Sequence, residues 1–291
     1  NFDIRLLRVF RTVVECGGFS AAEVELNITR SAISISMSDL EERLGLRLCQ
    51  RGRAGFSLTE EGRLVYQASQ QLMASLENFR SQVNYIHEKL TGNLNIGITD
   101  NLVTIEHMKV SYALKALKEK GPDVQIDIHM IPPNEIERHL LDGRLHVGVV
   151  PSIRPLPGLK YQDLYNEESL LYCSSEHPLF NADDAKITNK VLQKHDAVAP
   201  AYAQHAQTRA NYQTLKSTAT ATDREGVALL ILTGSYIGYL PTHFAQRWVQ
   251  TERMRAIRPE KNNFITNYQT VTRKSGGHNM VLEAFMHFIQ E

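Results

Sequence analysis

Only three cysteines, Cys16, Cys49 and Cys173, occur in 291 residues. They lie far apart, with no CxxC pair and no metal-ligand spacing. A disulfide framework and a structural zinc site therefore drop out, and the thiols are expected to be reduced or buried. No apolar run approaches the roughly 18 residues needed to span a bilayer. No secretory leader precedes the first helix either, so a cytoplasmic location is expected. Neither sign of charge is in excess, because Lys+Arg and Asp+Glu number 32 each. A nucleic-acid partner would then have to be met by positive charge confined to one segment. Enzyme signatures are missing too: there is no GxSxG, HExxH or GxxxxGK[ST], and the 11 histidines are scattered. No catalytic residue, metal or cofactor is expected. What is present is a hydrophobic content of 42%, enough for two or three separately cored domains at this length.

Residues 19–58 carry the most specific pattern, that of a winged helix-turn-helix. Ser20-Ala21-Ala22-Glu23 reads as a capping box that starts a short helix, with Phe19 stapling the entry and Ala22 and Leu26 turned inward. Asn27-Ile28-Thr29 ends that helix and caps a second one, which runs from about Arg30 to Leu44. Ile33, Met37, Leu40 and Leu44 recur at i, i+4, i+7 and i+11 and predict one buried stripe. The other side offers Arg30, Ser31, Ser34, Ser36 and Ser38, short polar groups that allow close approach to a groove floor. Gly45 stops the helix. Arg47, Arg51 and Arg53 around Gly52 and Gly55 then predict a basic hairpin lying along phosphates.

In this region the chain resembles the LysR-type transcriptional regulators. The likeness is carried by residues 7–10, Gly18-Phe19-Ser20, Ala22, Leu26, Ser31-Ala32-Ile33-Ser34, Leu40-Glu41, Leu44-Gly45, Leu48, Arg51, Leu58-Thr59 and Gly62, and it extends more weakly over the whole length. It implies an α/β chain with three parts: a winged helix-turn-helix over residues 1–58, a linker helix over 59–92, and a two-lobed effector-binding domain over 93–291 resembling periplasmic solute-binding proteins. It implies DNA contacts from Ser20, Thr29, Arg30, Ser31, Ser34, Ile35, Ser38, Arg51 and Arg53. Ile35 stands where many members carry a basic or polar residue, and Cys49 where an aromatic is common. Ile35 could touch a thymine methyl or pack against the wing.

A long helix is predicted over about 59–90. Val65, Leu72, Phe79 and Ile86 recur every seventh residue, with Ser69, Leu76, Val83 and Leu90 four residues on. Such a seam calls for a partner helix, in a second copy or in the regulatory part of the same chain. A dimer is favoured, because two half-sites add their contacts. The dimerisation set is then Val65, Leu72, Leu76, Phe79, Val83 and Ile86, with Thr91-Gly92-Asn93 as a hinge; the resemblance adds a possible tetramer.

From Asn93 onward strands and helices alternate: strands at 94–98, 124–130, 145–150, 169–174, 197–199, 236–241 and 268–272, and helices at 105–118, 134–142, 206–215, 224–233 and 279–290. This predicts a mostly parallel sheet with helices on both faces. The resemblance divides it into lobe I, about 93–162 and 268–291, and lobe II, about 163–267, with crossings near 162–165 and 265–268. An effector should sit between the lobes at strand ends. Those ends supply Thr99, Asp100, Asn101, His129, Ile131, Pro151, Ser152, Tyr202 and Asp223. Thr99 could equally cap a helix, as could Asp100 and Asp223, which could also meet a cationic group. Tyr202 could stack on a ring or be an ordinary half-buried tyrosine.

The expectation is a DNA-binding transcription regulator, self-associating, tuned by a small effector and acting with RNA polymerase. A redox-responsive regulator of the same family is the alternative, weakened because only Cys173 lies in the regulatory half. A solute-binding protein shares the lobes but not the first 90 residues, and an enzyme lacks its motifs.

Overall fold

The computed structural model describes residues 3–52, 55–85, 90–201, 206–274 and 279–290. Two compact units emerge, Asn1–Glu77 and Asn78–Glu291.

The first unit packs α1 (Ile4–Glu15), α2 (Phe19–Leu26) and α3 (Arg30–Leu44) against a hairpin of β1 (Cys49–Gly52) and β2 (Gly55–Leu58), and then begins α4 (Glu60–Tyr85). Asp3 caps α1 by accepting from the Arg5 amide at 2.9 Å. The capping box predicted at Ser20 and Glu23 does not form. Helix α2 starts two residues earlier, capped by Gly18 at φ 149° in place of Ser20, with no side-chain cap. Glu23 instead turns to the next helix, its Oε1 accepting from the Arg30 amide at 2.5 Å. Phe19, now inside the helix, meets the Phe56 ring of the wing edge-on at 6.0 Å. Thr29 caps α3 through the Ala32 amide and Gly45, at φ 67°, ends it, both as expected.

The second unit runs β3 (Gly92–Ile98), a 3-10 turn at Leu102–Thr104, α5 (Lys109–Lys120), β4 (Val124–Met130), α6 (Pro133–Leu141), β5 (Val147–Pro151) and β6 (Leu159–Ser174). It continues with α7 (Asn189–Leu192), β7 (Asp196–Pro200), α8 (Ala206–Gln213), β8 (Lys216–Ala221), α9 (Arg224–Leu232), β9 (Tyr236–Pro241), α10 (Thr242–Val249), β10 (Met254–Ala256), β11 (Asn263–Arg273) and α11 (Met280–Phe288). The sheet order is β4-β3-β5-β11-β6-β9-β7-β8, with β10 beside β6. Its two ends are parallel, but β11 and β6 in the middle pair antiparallel with each other and with their neighbours. The sheet is therefore mixed rather than mostly parallel. The cause is that β6 and β11 carry the chain from one end to the other in opposite directions.

Other differences have local reasons. Strand β8, Lys-Ser-Thr-Ala-Thr-Ala, goes unrecognised in the sequence because an exposed edge strand needs no large apolar side chains. Helix α5 starts four residues later than expected, after His107 at φ 56° breaks the turn. Gly92 and Asn93 belong to β3, paired with Val124 and Gln125, and do not form a hinge.

Apolar packing changes along the crossing strands. Leu164, Tyr165 and Tyr268 pack with Leu94, Ile96, Leu117 and Phe285, whereas Leu171 and Phe264 pack with Ile187, Ile237 and Tyr239. Tyr165 faces Tyr268 in register, and a bulge follows at once, with Gln269 opposite Asp163. The extra residue, Leu164, drops into the first of these cores.

Candidate functional site

Helix α3 presents two contrasting sides. Ile33, Met37 and Leu40 are fully buried against Leu7, Phe10 and Val13 of α1. Arg30, Ser31 and Ser38 are exposed, Ser34 is half-buried, and Ile35 is 71% exposed. Ser20 and Thr29 are exposed nearby. The serine-bearing side thus faces outward, and its apolar centre is Ile35. The wing is locked to this helix by one carboxylate: Glu41 Oε1 accepts from the Leu48 amide at 2.7 Å and the Cys49 amide at 3.3 Å. Thr59 closes the far side, its hydroxyl donating to the Arg47 carbonyl at 2.6 Å while accepting from the Gly62 amide at 2.9 Å. Arg51 lies on β1, paired with Phe56; its side chain, and Arg53 entirely, lie outside the described residues.

The heptad residues divide. Val65 and Leu72 pack on the core of the first unit, together with Tyr66 and Met73, and Ser69 is buried with them. Leu76 is half-buried, whereas Phe79 and Val83 are 62% and 39% exposed. Ile86 lies outside the described residues.

In the second unit a cavity of about 420 Å³ opens between the β3 end, the start of α6 and the start of α9. Thr99, Asp100, Asn101 and Ile131 line it, joined by Arg224 and Glu225. A second, narrower cavity of about 50 Å³ is lined by Pro151, Ser152, Glu167, Tyr239, Phe264 and Tyr268, among others, and Asp223 and Arg224 border both. His129 is exposed on β4 and lines neither, because it falls one residue short of the strand end. Tyr202 lies outside the described residues.

Arg224 organises the region, and the sequence reading missed it. Its Nη1 donates to Asp100 Oδ1 at 2.7 Å, and its Nη2 to Glu167 Oε1 at 3.3 Å and to the Tyr268 hydroxyl. Its backbone amide donates to Asp100 as well. Glu167, 4% exposed, is held on its other oxygen by His243 Nε2 at 3.1 Å, and His243 Nδ1 lies 2.7 Å from the Thr104 hydroxyl. A closed circuit thus runs from the 99–104 loop through α9, β6 and α10 and back. Asp100 is therefore no free carboxylate: it caps the first amide of α9 from a distant part of the chain while also holding the guanidinium. Asp223 is a cap, accepting from the Gly226 amide at 2.7 Å. Tyr165 stacks on Tyr268 at 4.8 Å, and burial pushes its phenol well above the usual range.

Both parts of the chain match models of one family. Residues 4–63 match the bacterial regulatory helix-turn-helix protein, lysR family, and residues 87–291 match the LysR substrate binding domain. The chain is a LysR-type transcriptional regulator. Over 289 residues this LysR-type chain is 55% identical to the HTH-type transcriptional activator BauR of Pseudomonas aeruginosa, covering 99% of itself and 95% of that protein. Its fold is that of CbnR, a LysR family transcriptional regulator, at a TM-score of 0.71 and 16% identity over 99% of this chain and 98% of CbnR. Full-length CbnR complexed with its target DNA gives the same TM-score over 99% of each chain.

Proposed function

We propose that this LysR-type regulator reads its operator with the exposed side of α3 and the wing, as a self-associated molecule in the cytoplasm, and that a small molecule in the cleft of the second unit adjusts that grip. The observation carrying the first part is the division of α3: its apolar stripe is spent inside, which leaves Arg30, Ser31, Ser34, Ile35 and Ser38 for the duplex. The second part is supported by the cavity between the β3 end and the starts of α6 and α9, where loops from distant parts of the chain converge. Residues 93–162 with 268–291, and 163–267, would act as two lobes whose arrangement the ligand biases. A coupling of about 1 to 3 kcal/mol suffices for a regulatory response, read out through RNA polymerase. Self-association would use Leu76, Phe79, Val83 and Ile86, since Val65 and Leu72 are already engaged within the chain.

Gel-shift titration of a duplex selected by the wild-type protein tests the interface. Arg30→Ala and Ser38→Ala should each weaken binding, by about 1 to 3 kcal/mol if a base contact is lost. Arg51→Ala should lower the log-log salt slope by about 0.9. Unchanged affinity and slope in all three would move the interface elsewhere.

A further inference from the structure

We propose that the larger cleft takes a small molecule bearing an ammonium or similar cationic group, held by the carboxylates at the start of α9 and by the Thr99 hydroxyl. This rests on the cleft being the effector site and adds the chemical class of its occupant.

Charge around the cavity is the first ground. Asp100, Asp223 and Glu225 line it, and among the described residues Arg224 is the cation that borders them. Both terminal nitrogens of Arg224 are engaged by the protein, through Asp100, Glu167 and Tyr268. An entering carboxylate would therefore have to displace one of these buried partners, while facing the Asp223 and Glu225 charges. The start of α9, where free amides would attract an anion, is already filled: Asp100 takes the Arg224 amide and Asp223 the Gly226 amide. Glu225 is exposed and makes no ion pair or hydrogen bond among the described residues. The field at the cavity thus favours a positive group.

The second ground is independent of charge. Thr99 is 5% exposed, borders the cavity, and its Oγ1 has no hydrogen-bond partner among the described residues. A buried hydroxyl in that state is completed by a ligand N–H or O–H, and an ammonium supplies three donors. Apart from Asn101 and Thr222, the remaining wall is apolar, formed by Val103, Met130, Ile131, Pro132 and Pro133. It suits a short carbon stem leading away from the charged head.

The test uses the full chain in thermal-shift and calorimetric titrations with three matched series of two to six carbons: alkylamines, ω-amino acids and alkyl carboxylates. At least one amine-bearing compound should raise the melting midpoint and bind, whereas the plain carboxylates should not. Asp223→Asn combined with Glu225→Gln keeps the α9 cap and removes two charges; it should raise the Kd of that amine about tenfold. Thr99→Val should raise it as well, each variant being compared with its own ligand-free midpoint. Failure of every amine to bind, binding of carboxylates alone, or an amine Kd unmoved in these variants would each overturn the proposal. An amine that binds and responds to the variants but leaves operator affinity unchanged would keep the chemical class and overturn the effector reading instead.

Discussion

Arg224 occupies the first turn of α9, a place where the helix dipole disfavours a cation. It is tolerated because its amide and its guanidinium both grip Asp100, and because Glu167 and Tyr268 take the remaining donors. Removing it should be costly. Arg224→Met leaves the Glu167 carboxylate buried with His243 alone, and such a broken pair costs about 3 to 5 kcal/mol. The urea midpoint should fall accordingly and recover in part when Glu167→Gln is added; equal midpoints for wild type and the single variant would mean that the network adds no stability. None of this was visible along the chain, since Asp100 and Glu167 lie 124 and 57 residues from Arg224. The one hint available was the cation itself, placed against the dipole. Asp223, by contrast, was legible as a cap, because the Asp-to-third-residue amide contact is local.

Among the elements, the wing shows how backbone approach constrains sequence. A Cβ added at Gly62 would lie 1.9 Å from the Leu48 carbonyl oxygen, so α4 can start beside the wing only with glycine there. Gly62→Ala should destabilise the first unit by about 1 to 3 kcal/mol and weaken operator binding with it. A thermal melt and gel shift indistinguishable from wild type would show that α4 can shift at no cost. The amphipathic stripe of α3 was readable because one face of one helix is set by a 3.6-residue period. The capping box was not, because Glu23 had two amides within reach and the tertiary arrangement supplied the Arg30 one. Helix α4 combines both cases. Its heptad was plain in the sequence, yet which half is spent on the chain's own core depends on where α1 and the wing meet it.

For the whole molecule, the exposed end of that heptad and two histidines, His177 buried and His146 half-buried, lead to measurable behaviour. Phe79→Asp with Val83→Asp should lower the mass seen by light scattering, while Val65→Ala with Leu72→Ala should lower the melting midpoint and leave the mass unchanged; the reverse pattern would place self-association elsewhere. His146 and His177 are each pushed down to about 4, first by burial, with Arg273 adding to His146 and His195 to His177. In both, Nδ1 accepts a backbone amide, from Asn95 at 3.0 Å and Leu179 at 3.1 Å, so the folded chain prefers the neutral ring. The unfolded chain takes up these protons near about pH 6.5. Stability from the two rings is therefore complete above that pH and is lost progressively as pH falls toward about 4. Urea midpoints should decline through that window, and less steeply once His146 and His177 are replaced by Asn; identical slopes would remove the histidines from the account. By itself the sequence determined helix α3, the hairpin, the long helix and most of the alternation of strands and helices, because each follows from a pattern within one segment, a period of 3.6, 7 or 2 residues or a glycine-bounded turn. The tertiary structure alone decided the mixed sheet, the Asp100–Arg224–Glu167–His243 circuit and the division of the heptad, because those depend on side chains that meet only after distant segments pack together.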